Sequence, residues 1–301
     1  MEEKGKKGRM DYTLLLIVVL LVVIGLVILY STSAYNGQVK FHDSFYYLKK
    51  QAFATVLGIV LMLFVAGMDY HIWQRLAVFG YLAAVALSVA VMLFGREING
   101  SKRWLALGPF SFQPSEFAKV ALILFLADLV TKNVKTIGKM WTLCRIMFWI
   151  LPIVGLVGAS NLSTAIIILG IGVILIFVAS PKYAQFALMG IAGACFMGIF
   201  LALESYRLER LAIWRNPEKY EKGYQTLQGL YAIGSGGVFG VGIGNSVQKL
   251  GFVPEAQNDM IFSIICEELG LAGAGIIVFL FLLLIWRFFL IASESRDLFG
   301  A

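Results

Sequence analysis

Pro254-Glu255-Ala256-Gln257-Asn258-Asp259-Met260-Ile261-Phe262 is the stretch on which the fold turns. Polar loop chemistry ends at a carboxylate, and from there an apolar run extends through residue 290. A carboxylate at the lip of a membrane helix is costly to keep and marks a functional site by default. The rest of the chain fits that reading. It has 301 residues, 59% hydrophobic and 14% charged, with a mean hydropathy of +0.83. A soluble domain carries about a quarter charged residues, so the chain is an integral membrane protein. Eight apolar runs are long enough to cross a bilayer as helices, at 12–34, 52–68, 76–95, 115–131, 142–158, 162–180, 183–204 and 261–290. They are continuous rather than alternating, which excludes a transmembrane β-barrel. The expected fold is therefore all-α and polytopic.

The net charge of +7 does not indicate nucleic acid, because the basic residues lie between spans. Lys4, Lys6, Lys7 and Arg9 precede the first span and place the N-terminus in the cytoplasm by the positive-inside bias. Lys132, Lys135, Lys139 and Arg145 then also fall inside, and the loop at Asn161, with no basic residue, falls outside. The long stretch from Glu204 to Asp259 is extracytoplasmic on this count. Its basic residues run against the bias, which calls for another cause, such as an anionic ligand. No cleavable signal peptide is evident in the first apolar run.

Helix boundaries are marked by local chemistry. Gln113-Pro114-Ser115-Glu116 starts a span with proline in its first turn, where the missing N–H costs nothing. Ser160-Asn161 offers a cap to the span that follows, and Pro181 closes that span. Two segments break the pattern, Arg96–Gly108 and the one beginning Tyr206-Arg207. In the second, basic and apolar residues alternate at helical spacing, which suggests an interfacial helix carrying Trp214. Cys144, Cys195 and Cys266 sit in apolar runs and read as core thiols without disulfide or metal spacing. His42 and His71 read as isolated loop residues.

The candidate site residues each have a plainer alternative. Asp259 is a candidate general base, which must reach its proton directly; the alternative is a cap on the positive end of the following helix. Glu116 and Lys119 share a helix face at i,i+3. They make either a local ion pair or a substrate contact one turn inside the membrane. Arg103, Arg207, Arg210 and Lys249 are outward-side cations that together suit a pyrophosphate; singly, each suits a headgroup. The glycines at 234, 236, 237, 240, 242 and 244 follow no predicted strand, so they are not a dinucleotide fingerprint. A re-entrant or tightly folded loop is expected there, since irregular backbone at membrane depth must be buried in protein or line a cavity. Glu267 lies about 80° round the helix from Asp259. Polar contacts inside the bundle are expected for both Glu267 and Glu268.

At these residues the chain resembles the SEDS family of peptidoglycan glycosyltransferases, the FtsW/RodA/SpoVE group. The matching segments are Asn99-Gly100-Ser101-Lys102-Arg103-Trp104, Gln113-Pro114-Ser115-Glu116-Phe117-Ala118-Lys119, Gly223-Tyr224-Gln225, the glycine run, and Gly244 to Gly270. Asn245-Ser246-Val247-Gln248-Lys249 with Pro254-Glu255-Ala256 is more similar to FtsW than to RodA. The resemblance implies polymerisation of lipid II on the outer face of the bacterial cytoplasmic membrane during cell division. The partners it implies are a class B penicillin-binding protein and other divisome membrane proteins. It places the family's essential aspartate at Asp259 and its charged pair at Glu116 and Lys119. Donor linkage α and product linkage β imply one inverting displacement with one base. A divalent cation, Mg²⁺ or Mn²⁺, would suit carboxylate with pyrophosphate, though no metal is read from the sequence.

The resemblance also implies ten helices, of which about eight are present. The chain thus reads as a single SEDS-type domain over 1–301, C-terminally incomplete, with a large extracytoplasmic loop at 205–260. Where many members have Gln-Pro-Asp-Leu-Gly-Thr, this chain has Ala159-Ser160-Asn161-Leu162-Ser163-Thr164, a change that preserves capping but not acid–base chemistry. Two other functions use the same residues. A lipid II flippase would use Asp259 and Lys119 as gating charges and would need basic contacts on both faces. A divisome scaffold would need no chemistry at Asp259.

Overall fold

The computed structural model describes residues 10–98, 101–107, 110–180, 182, 184–187, 190 and 212–301. The chain forms two compact units, one of Met1–Gly67 with Ile199–Glu294, the other of Met68–Gly198 with Ser295–Ala301. Six helices among the described residues are long and apolar enough to cross a membrane.

In the first unit, α1 (Tyr12–Phe41) packs against α2 (Tyr46–Ala66) and against α8 (Ile261–Ser293), and α7 (Tyr224–Ser235) packs against α8. Asp11 caps α1 by accepting from the Leu14 N–H at 2.9 Å, and Arg287 of α8 reaches the same carboxylate at 2.5 Å. His42 ends α1 in the left-handed region and passes its N–H to Gln38. In the turn to α2, Asp43 accepts from the Phe45 N–H and from Lys49 Nζ. No residue of α2 is buried, and Phe53 and Phe64 stand fully outward. Such faces would be an aggregation hazard in water; in a bilayer they face acyl chains.

In the second unit, α3 (His71–Phe94) leads into a three-stranded antiparallel sheet, β1 (Arg96–Ile98), β2 (Ser101–Leu107) and β3 (Phe110–Phe112), in that order. α4 (Pro114–Asn133), α5 (Met140–Gly158) and α6 (Leu162–Ala179) follow. Asn161 caps α6, accepting from the Thr164 N–H at 3.2 Å, as its place in the sequence led us to expect. The core is built where α4 lays Ala118, Leu122 and Leu126 against its neighbours, and where α5 and α6 bring together Ile146, Ile150, Ile153 and Ile168. Gly172 lets α6 approach α5, since a Cβ there would press on the Ile150 side chain.

Several expectations change in detail. α4 forms as a helix but is not among the six apolar spans, because Glu116, Lys119, Asp128 and Lys132 lower its hydropathy. Residues 183–204 lie largely outside the described residues. The Arg96–Gly108 segment holds strands rather than a plain loop. Cys144 is exposed on α5 rather than in the core, whereas Cys266 is buried; Cys195 lies outside the described residues. His71 opens α3 and is not isolated, since its ring contacts Asp69 at 2.7 Å and Asp297 at 3.2 Å. Tyr70 donates to Asp297 beside it and holds that carboxyl below its usual range.

Candidate functional site

The site is organised by a break in α8. Gly270 has φ 68° and ψ −171°, so the helix stops and restarts there. A break frees carbonyls before it and N–H groups after it, and these need partners at membrane depth. The glycine run supplies them. The N–H groups of Val241 and Gly242 donate to the carbonyls of Glu267 and Glu268, both at 2.9 Å. Leu271 and Ala272 donate to the carbonyls of Gly237 and Val238, both at 3.0 Å. The contact is backbone to backbone, which is why glycine is needed. A Cβ on Gly240 would overlap the Glu268 carbonyl, and one on Gly236 the Cys266 carbonyl. The glycine run is thus a tightly folded loop laid into a broken helix.

Beyond it, the chain turns back through Ser246–Leu250 and is held by the two glutamates just before the break. Glu267 accepts from the Val247 N–H at 3.0 Å and from the Ser246 hydroxyl. Glu268 accepts from Lys249 Nζ at 2.6 Å and from the Ser31 hydroxyl of α1 at 2.7 Å. Glu267, Glu268, Lys249, Ser246 and Ser31 are all buried. Polar contacts inside the bundle are therefore what both glutamates make. Lys249 lies inside the unit with its charge committed to Glu268, unlike the outward-facing cation expected.

From there the chain passes Val253 and Ala256, packed with Ala232 of α7 and Ile264 of α8, to reach Asp259. Gln257 is buried and accepts from Asn36 of α1 at 2.9 Å. Glu255 sits at φ 52°, uncommon for a residue with a Cβ, and receives the Asn258 amide at 2.7 Å. Asp259 itself is exposed. α8 starts from Met260 with no side-chain capping bond, so the carboxylate does not serve as the helix cap. Among the described residues it has no hydrogen-bond or ion-pair partner. Its neighbour Asn258 lines a groove whose floor is Val22, Leu26 and Leu29 of α1 and whose wall carries Lys50 and Gln51 of α2.

In the second unit, Glu116 and Lys119 form an ion pair at 2.9 Å on the first turns of α4. Arg103 of β2 donates through Nε to the Ser160 carbonyl at 3.3 Å. It lines a small cleft with Gln113, Ser115 and Asn161 at the N-terminal ends of α4 and α6. Arg207 and Arg210 lie outside the described residues, as does most of the expected interfacial helix; residues 212–215 are helical. Among the described residues no group of three or more His, Cys, Asp or Glu side chains could hold a metal ion.

Sequence reasoning did not find Ser31 or Asn36. The signal was the polar run Ser31-Thr32-Ser33 inside an apolar span, all three buried. A polar residue within a membrane helix faces protein by preference.

These features define a polytopic helical membrane protein with a broken helix and an exposed carboxylate at its start. The chain belongs to the FtsW/RodA/SpoVE family of cell cycle proteins, whose model matches residues 12–301. It is 37% identical to stage V sporulation protein E of Bacillus subtilis strain 168, over 98% of this chain and 82% of that protein. It is 32% identical to a probable peptidoglycan glycosyltransferase FtsW of Saccharophagus degradans, over 97% of this chain and 78% of that one. Its fold matches a chain in a structure of a peptidoglycan synthase complex that coordinates polymerization and crosslinking. That match has a TM-score of 0.75 at 29% identity and covers 96% of this chain and 80% of that one. Thermus thermophilus rod shape determining protein RodA matches with a TM-score of 0.67 at 26% identity, over 96% and 77%.

Proposed function

We propose that this protein is a peptidoglycan glycosyltransferase that polymerises lipid II, with Asp259 as its general base. The observation that carries the base assignment is the Asp259 carboxylate, exposed and without a partner among the described residues, on a loop braced from both sides. A base must be open to its proton and fixed in place. Asp259 takes the proton of the acceptor sugar hydroxyl while that oxygen attacks the anomeric carbon of the donor. The bond from that carbon to the pyrophosphate-lipid breaks, and the configuration inverts from α to β. The lipid pyrophosphate gains a negative charge as that bond breaks and leaves with up to three, to be met by cations. By residue type and not by placement, Arg103, Arg207, Arg210 and Lys119, the last with Glu116 as its ion-pair partner, are proposed as phosphate contacts, since guanidinium and ammonium donors suit phosphate oxygens. The groove beside Asn258, apolar on α1 and polar on α2, suits a substrate with a lipid tail and a sugar head.

In this reading residues 205–260 are extracytoplasmic, the N-terminus is cytoplasmic, and the site opens on the outer face. The partner is a class B penicillin-binding protein, and the setting is cell division with its other membrane proteins. A Mg²⁺ or Mn²⁺ ion, if used, would be held largely by the pyrophosphate with Asp259 as its carboxylate. Full polymerisation in excess chelator would remove the ion from the scheme.

The test is glycan polymerisation from lipid II by the chain with its class B partner, comparing wild type with Asp259→Asn. Polymer from the first and none from the second is the expected result. Equal polymer from both would refute the base. A septation defect on depletion would bear out the division role; a defect confined to spores would replace it with sporulation.

A further inference from the structure

Lys249, Glu268 and Ser31 form a closed triangle drawn from three parts of the first unit. Lys249 Nζ donates to Glu268 Oε1 at 2.6 Å and to Ser31 Oγ at 3.0 Å, and Ser31 Oγ donates to the same carboxylate at 2.7 Å. Lys249 is 6% exposed and Glu268 1%. A buried ion pair gains little net stability over an apolar pair of the same shape, so stability alone does not account for it. Its distinctive property is direction. It fixes the start of the Ser246–Asp259 segment against α8 and α1 at once. Glu267 fixes the adjacent backbone, and Gln257 fixes the far end through Asn36. The Asp259 carboxylate stands exposed at the end of that braced segment, with no partner among the described residues.

We propose that Lys249, Glu268 and Ser31 are positioning residues for Asp259, acting through the segment that joins them to it and not by touching substrate. The assignment rests on Asp259 being the base. It turns Lys249 from a pyrophosphate contact into the anchor of the loop that carries the catalytic group. Displacing a reacting group by about 1 Å costs on the order of 100-fold in rate, so loosening the anchor is read in turnover.

The experiment measures kcat and KM for lipid II, and thermal melting, with the full chain and its class B partner. The variants are Glu268→Gln, Lys249→Met, the double variant Lys249→Met/Glu268→Met, Ser31→Ala and Asp259→Asn. Each single charge removal is expected to lower both melting temperature and kcat. The double variant buries no charge and is expected to recover the melting temperature but not kcat, which stays about 100-fold down with KM little changed. Ser31→Ala keeps the ion pair and loses two hydrogen bonds, one donated to the Glu268 carboxylate and one accepted from Lys249 Nζ, so kcat falls about fivefold at constant KM with a modest fall in melting temperature.

If the double variant regains both melting and kcat, the triangle is structural only and the proposal is overturned. A rise in KM with kcat intact for Lys249→Met would also overturn it, by restoring Lys249 as a substrate contact. Should the double variant fail to fold, Ser31→Ala decides: wild-type kcat overturns the proposal, and a kcat loss at constant KM supports it. If Asp259→Asn polymerises normally, the base assignment itself fails; if it is dead while the triangle variants are active, only the positioning role fails.

Discussion

The Glu116–Lys119 and Glu268–Lys249 pairs differ in almost every physical respect. Glu116 and Lys119 are three residues apart on one helix, with the glutamate side chain 58% exposed. Glu268 and Lys249 are nineteen residues apart, joined across a folded loop, and nearly sealed from the surroundings. The first pair follows from helix geometry alone, because i,i+3 residues share a face. The second exists only because α8 breaks at Gly270 and a glycine loop enters the break. A local pair shows that two charges are neighbours. A long-range buried pair shows that the fold has been built around them.

The comparison is sharpest when each pair is broken. Lys249→Met leaves Glu268 charged and buried with only the Ser31 hydroxyl, and a loss of about 3–5 kcal/mol is expected, measured as a fall in melting temperature. Asp128 is an intermediate case. It is buried on α4, held by Gln74 at 3.0 Å and by the exposed Lys132 at 2.6 Å. Asp128→Asn keeps the shape and loses charge assistance, so about 1–3 kcal/mol is expected. Glu116→Gln should cost at most about 1 kcal/mol, as an exposed pair does. If Glu116 serves the substrate, the same variant still loses most polymerisation; a variant as active as wild type would leave that pair as surface chemistry.

The smallest effect is expected at the turn between α1 and α2. Lys49 Nζ first, and then the Phe45 N–H, hold the Asp43 carboxyl below its usual value. A carboxyl lowered on folding contributes above its unfolded pKa of about 3.9 and loses that contribution as pH falls through the lower folded value. Melting of wild type and Asp43→Asn should therefore differ by a constant amount from neutral pH down to about pH 4 and converge below it. A gap that opens instead between pH 6 and 8 would point to a different group.

Much of this was legible in the residues. The apolar runs announced the helices because period and length alone suffice for a span. Asn161 and Pro114 announced the starts of α6 and α4 because capping is local. The strands of the second unit were missed, although Asn99-Gly100 is a strong hairpin signal in the sequence; the segment was weighed only as a break between spans. α7 was missed because its twelve residues lie inside a glycine- and lysine-rich stretch, too short to span. Asp259 could be picked from its place before an apolar run. What braces it could not, because Ser31 meets Lys249 and Asn36 meets Gln257 only once the chain has folded. The glycine run reads as a tightly folded loop in sequence, and the structure adds that Gly236 and Gly240 have no room for a Cβ against the backbone of α8.

The first unit is made from an early and a late stretch of the chain, and this has a consequence for how the protein is born. Ser31 precedes its partner Glu268 by 237 residues. At roughly 5–20 residues per second, synthesis takes about 10–50 s to cover that interval. For that time the Ser31 hydroxyl of α1 lacks its partners Lys249 and Glu268, which have not yet been translated. The polar lock between α1 and α8 therefore closes only late in synthesis, after the ribosome has delivered α8.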